Sequence, residues 1–196
     1  MQTEQLTSDP AVHTVDAALV PSPGIYEIDP VHTFLSFSTR HMRIGQVRGR
    51  FTALSGIITV EEDPSRTQVE FTVNTESVDT HFERRDQDLR STRFFDVQAF
   101  PTMTYRSSLA AYDGDGTWDI DGQLTIRDMT RPVRVQAWFR GTTVDTGGRA
   151  RVGFHATARL RREDFNLMAE LDREVGTLRV GTDVNIEMDI EATLKN

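Results

Sequence analysis

Cysteine is absent from all 196 residues. That removes disulfides, thiolate nucleophiles and cysteine-based zinc sites. Lysine is almost absent: Lys195 is the only one among 22 basic residues, and the rest are arginine. So uniform a choice reads as genome composition bias rather than a need for guanidinium forks. Positive charge is outweighed, with a formal net charge of −8. Such a chain lacks the basic face that phosphate contacts require, which argues against a nucleic-acid partner. Met1 to Gly24 has no basic leader and no long apolar run. The expectation is therefore no secretory signal, no transmembrane segment and a cytoplasmic protein. Tryptophan (2) and tyrosine (3) are scarce beside phenylalanine (11), a filler of dry interiors.

The length suits one domain with a substantial core. Residues 1–24 contain "SDP" and "PSPG" without sustained periodicity. They are expected to be a flexible N-terminal arm before a domain at 25–196. From Ile25 onward apolar and polar residues alternate, as in half-buried strands. Val31, Leu35, Phe37, Thr39 and His41 share one face, and His32, Phe34, Ser36, Ser38 and Arg40 the other. Further alternating runs begin near Leu54, Val69, Met103, Trp118, Val133, Val152 and Val184. About eight long strands with turn punctuation predict a mainly β fold, an antiparallel barrel or a deep sandwich; the eight-stranded barrel is preferred because closure removes sheet edges. Small residues at Gly56, Gly122, Ala137, Ala156 and Ala158 fit either an internal cavity or a tapered, filled barrel.

Two segments break the alternation. "THFERRDQDLR" (80–90) places Thr80 three residues before Glu83, which suggests a capping box. Arg84–Asp88 and Asp86–Arg90 are opposite charges four apart. A short helix of about three turns is expected at 81–91, pinned by Phe94 and Phe95. It lies across the barrel either as a plug or as a lid. The second segment, 161–183, is a long insertion in which Met168, Leu171, Val175 and Leu178 make one helical stripe. It is either a wall of the barrel mouth or a crossing loop.

The residues offer little for catalysis. His13, His32, His41, His81 and His155 form no HExxH pattern, and His32 and His41 differ in strand parity, so no metal is expected. There is no GxSxG, and Ser36 and Ser38 lie opposite His41. His41 reads as a core or rim histidine or as a ligand contact. His32 reads as a loop tie. The charges of 84–96 read as a solvated network.

The run "RDQDLRSTRFFDVQAFPTMTYRS" (85–107) resembles the signature of the YceI-like family. So do "IDPVHTFLSFSTRHM" (28–42), "VRGRFTALSGII" (47–58), "SVDT" (77–80), "LTIRDMTRPV" (124–133) and "RREDF" (161–165). Together they span about residues 25–192 in order. The resemblance implies a lipocalin-like barrel with a helix around an apolar channel. It also implies a homodimer and binding of polyisoprenoids, isoprenoid quinones or other long lipids. Asp88 stands where the family often has histidine, and Asp128 and Asn166 where it often has glycine. Both of the latter tolerate positive φ.

The resulting expectation is a non-enzymatic carrier of an apolar lipid, with no catalytic residue, metal or cofactor. Its channel wall would be Leu35, Phe37, His41, Leu54, Ile58, Phe71, Met103, Leu124, Val135, Phe139, Phe154 and Ile186, with Phe94 and Phe95 at the helix. The alternatives are an enzyme acting on an isoprenoid-type substrate and a solid barrel that serves as a protein-interaction module.

Overall fold

The computed structural model describes residues 12–15, 18–42, 44–167 and 180–195. The strands are β1 (Val12–Val15), β2 (Ala18–Pro21), β3 (Gly24–Ile28), β4 (Phe34–His41), β5 (Gly45–Phe51), β6 (Leu54–Val60), β7 (Gln68–Asn74), β8 (Val78–Asp79), β9 (Thr102–Tyr112), β10 (Thr117–Ile126), β11 (Met129–Val144), β12 (Ala150–Arg161) and β13 (Val180–Leu194). One α-helix among the described residues, α1 (Glu83–Arg90), lies between β8 and β9. No described helix is long and apolar enough to cross a membrane.

β3 and β4 both pair antiparallel with β13, at Ala192–Leu194 and Val180–Asp189 respectively. They are two halves of one strand, interrupted by a turn that leaves Val31, expected on the apolar face, 82% exposed. β5 pairs with β4 and β6 with β3, so β5 and β6 form a second broken strand, bent at Thr52–Ala53. Counting each broken strand once gives a meander β3/β4, β5/β6, β7, β9, β10, β11, β12, β13. The long ladder between β12 and β13, from Arg151↔Thr193 to Arg161↔Asp183, closes it into an eight-stranded antiparallel barrel. Closure leaves only short free edges at the bends, and β8 covers the edge of β5 at Arg50 and Phe51.

The two ends differ. The β4–β5 and β10–β11 connections, Arg162–Leu167 and α1 gather at one end, here termed the mouth. Tight turns gather at the other. There Asp113 accepts backbone bonds from Asp115 and Thr117, and Gly114 and Gly116 take φ near +90°, a conformation that costs glycine little. Trp118 donates to the Pro64 carbonyl (3.0 Å) and ties the β6–β7 turn to this end.

Several expectations change here. Within the segment read as a flexible arm, β1 and β2 pair as a hairpin and Val20 is fully buried. The apolar face of "ALVP" finds a surface beside β11, which overrides its weak periodicity. The helix has two turns rather than three, and Phe82 is its N-cap without a side-chain bond. Thr80 makes no capping box with Glu83, because its hydroxyl and N–H both donate to the buried Asp86 carboxylate. Neither expected i,i+4 ion pair is the one observed. Asp88 meets Arg93 (3.1 Å), and Arg90 donates to the carbonyls of Glu76 and Val78. At the β10–β11 turn the positive φ falls on Arg127, not Asp128, whereas Asn166 does adopt one (54°). The 161–183 insertion shrinks, since Arg161 ends β12, Arg162–Phe165 form a 3-10 turn and Val180–Asp183 begin β13. Its expected stripe, Met168, Leu171, Val175 and Leu178, lies outside the described residues.

Candidate functional site: an apolar tunnel in the barrel

Inward side chains of the eight strands do not meet on the axis. They enclose a cavity of about 530 Å³. Its wall includes Trp118 and Ile126, near opposite ends of the inward face of β10. At about 3.4 Å per residue and a strand tilt near 40°, these ends are about 20 Å apart along the axis. The space is elongated along the barrel axis.

Of the residues expected in the wall, Leu35, Phe37, His41, Ile58, Phe71, Met103, Leu124, Val135, Phe154 and Ile186 line this cavity, as do Phe94 and Phe95. Leu54 and Phe139 do not. Leu54 opens β6 directly after the bend and is buried in the core cluster. Phe139 lies one inward step beyond Ala137, the residue opposite Trp118, and packs on Phe154 (5.6 Å) beyond the blind end. Trp118 closes that end, edge-on to Phe154 and against Tyr112.

The small residues have two roles. Ala137, Ala156 and Ala158 face the cavity. Gly122 does not, because the Tyr105 ring occupies the space above it. Gly56 is filled in the same way by Ile28 and Phe71. Tyr105 thereby reaches the wall. Its hydroxyl lies within bonding distance of the Ile120 and Val133 carbonyls (3.0 and 3.3 Å), and burial pushes the phenol well above its ordinary pKa. It stays neutral and adds no charge to the tunnel.

Polar groups concentrate at the ends. His41, Arg85, Asp88 and Arg162 line the mouth together with Val47, Leu89 and Leu167. Arg85 is held by Thr80, through the hydroxyl (2.7 Å) and the carbonyl (2.8 Å). Arg162 is buried and donates to the Val180 carbonyl (2.9 Å). Phe94 and Phe95 hold the helix segment in place. The Phe94 carbonyl accepts from Arg127 (3.2 Å), and Phe95 meets Phe51, which meets Phe37. At the blind end Thr67 is buried, lines the cavity, and its hydroxyl has no protein partner.

His32 ties down its loop by bonding Asp29 (2.9 Å). His155 bonds Asp189 on the outside of the wall. Among the described residues no cluster of three or more His, Asp or Glu could hold a metal ion. Strand parity alone would also have found Thr39, Ile120 and Ile190. It could not find Thr67, Arg85, Arg162 or Leu167, which lie in turns and on the helix and come to the tunnel only through the fold.

Residues 26–192 match the model of the YceI-like domain. Protein YceI of Salmonella newport (strain SL254) is 37% identical over 149 residues, covering 74% of this chain and 78% of that protein. Among solved structures, Burkholderia cenocepacia BcnA superposes with a TM-score of 0.76 at 19% identity, covering 85% of this chain and 99% of that one. A polyisoprenoid binding domain from Saccharophagus degradans superposes with a TM-score of 0.69 at 16% identity, covering 89% of this chain and 100% of that one. At such identities the two structures share the fold.

Proposed function

This chain belongs to the YceI-like domain family, and on that premise we propose that it takes up and carries one long apolar lipid, a polyisoprenoid or isoprenoid quinone, without chemical change. The observation that carries this reading is the shape and lining of the tunnel: about 530 Å³, elongated along the barrel axis, with an apolar wall and polar groups at its ends. The volume lies within the range of roughly 300–1,000 Å³ usual for small-molecule sites. The Saccharophagus degradans protein with the same fold is described as a polyisoprenoid binding domain, which agrees with such cargo.

The physics of the grip is non-directional. Each buried methylene contributes about 0.8 kcal/mol, so eight give about 6 kcal/mol gross. Ordering the chain and losing its free motion offset several of these kcal/mol. Selectivity then rests with a head group at the mouth. His41 can share a hydrogen bond with a carbonyl or phenol there, and Arg85 can donate to any oxygen.

The test is mass spectrometry of organic extracts of the purified protein, followed by titration with a fluorescent polyene lipid in detergent micelles. A prenyl lipid in the extract, or saturable one-to-one uptake displaced by an isoprenoid quinone, is the expected result. No extracted lipid and no uptake would sink the reading.

A further inference from the structure

Large apolar side chains stand in water at the tunnel mouth. Ile44 is 94% exposed, and Met42 and Phe82 are each 57% exposed. Met42 and Ile44 form the tip of the β4–β5 hairpin, whose next residues inward, His41 and Val47, line the tunnel. Phe82 reaches the same rim from the other side. β8 runs antiparallel to β5, with Asp79 opposite Arg50, and leads the chain toward that hairpin tip. Phe82 then packs under Arg85, itself a mouth residue (5.7 Å). Exposed apolar residues from two elements thus border one opening.

The charge around them runs against that of the molecule. The chain carries −8 overall, yet no acidic residue occurs between Asp29 and Glu61, where Arg40, Arg43, Arg48 and Arg50 all fall. Arg40 and Arg48 are exposed beside the hairpin tip, and Arg84 is exposed on the first turn of α1. Exposed acids at the same end are Glu83, Asp128 and Asp164, while Asp79 is paired with Arg50 and His81, Asp88 with Arg93 and Asp183 with Arg159.

We infer that this rim docks on a lipid bilayer bearing anionic phospholipid, with Met42, Ile44 and Phe82 entering the interface and Arg40, Arg48 and Arg84 meeting headgroups. Apolar insertion plus arginine attraction is the combination that holds peripheral proteins on such surfaces. Its use rests on the carrier reading: a cargo insoluble in water would leave the membrane directly into the tunnel. The docking itself does not require cargo.

The experiment is co-flotation of the full chain with phosphatidylcholine–phosphatidylglycerol vesicles and with pure phosphatidylcholine vesicles. Binding is expected on the anionic vesicles and weaker on the neutral ones. It falls as salt shortens the screening length. The double variant Ile44→Ser/Phe82→Ser should lose about tenfold or more of vesicle affinity. Arg40→Gln/Arg48→Gln should lose affinity on anionic vesicles alone. Both should still take up polyene lipid from micelles. Vesicle binding without any micelle uptake would leave docking intact and remove the carrier reading. Absence of wild-type binding, or equal binding by wild type and the Ile44/Phe82 variant, would overturn the inference. So would a dimer that this variant dissolves in light scattering while vesicles stay unbound, since the rim would then be a self-contact.

Discussion

A methyl group added at Gly122 would stand 2.4 Å from Cζ of Tyr105. The glycine is therefore the seat of the tyrosine ring, at the point where the β9–β10 ladder slips register between Asp121 and Gly122. Gly122→Ala should destabilise the protein by about 1–3 kcal/mol through overpacking. Tyr105→Phe, which removes only the hydroxyl bond to a carbonyl, should cost about 1 kcal/mol. Urea titrations of both variants check this, and a silent Gly122→Ala would refute the packing argument.

Asp86 is buried on α1 and accepts from the Thr80 amide and hydroxyl. Asp86→Ala strands both donors and releases the partner of the segment leading into the helix. A loss of about 2–4 kcal/mol is expected, against less than about 0.5 kcal/mol for the exposed Arg84→Ala. Equal melting temperatures for the two variants would show that the contact is without weight.

Asp29 supplies the pH dependence. The His32 hydrogen bond, with the Val31 amide and Arg151, brings its pKa down to about 2. Its folded-state pKa lies below the unfolded one, so its contribution is complete above the unfolded value, near 4, and disappears as pH falls toward 2. The stability difference between wild type and Asp29→Asn should be constant at neutral pH and close between about pH 4 and 2. A difference that stays open at pH 2 would rule out this carboxylate as a source of the acid sensitivity.

Ala156 faces the tunnel between Ala137 and Met188 on the neighbouring strands. Ala156→Phe places a ring in the free cross-section. Lipid uptake should fall by about tenfold or more while stability changes by no more than about 1–3 kcal/mol. Unchanged uptake in a folded variant would place the cargo elsewhere.

Thr67 keeps a buried hydroxyl without a protein partner at the blind end. Thr67→Val removes the unsatisfied group at equal shape, so the ligand-free protein should gain about 1 kcal/mol. A loss of stability would mean that the hydroxyl is satisfied in solution.

Period-two alternation made the strands and their inward faces legible, because one face of each strand must be apolar when the other meets water; it left a barrel and a sandwich open, and the avoidance of free edges and the family resemblance favoured the barrel. It also placed Leu35, Phe37, Phe71, Val135 and Phe154 inward, since parity is a local property. The helix was legible as a helix, but its contacts were not. Thr80 had two acceptors in reach, Glu83 and Asp86, and only the buried one competes free of water.

Other features were decided by the tertiary structure. Gly122 and Ala156 look alike in the sequence as small inward residues. One is filled by a tyrosine from the next strand and the other opens on empty space, and that depends on cross-strand register. Phe139 and Phe154 share a face, yet only Phe154 reaches the tunnel, because Trp118 closes the barrel between the tunnel and Phe139. Alternation tells each side chain which way to face; whether the facing side chains meet or leave a passage depends on how far apart the closed ring holds them.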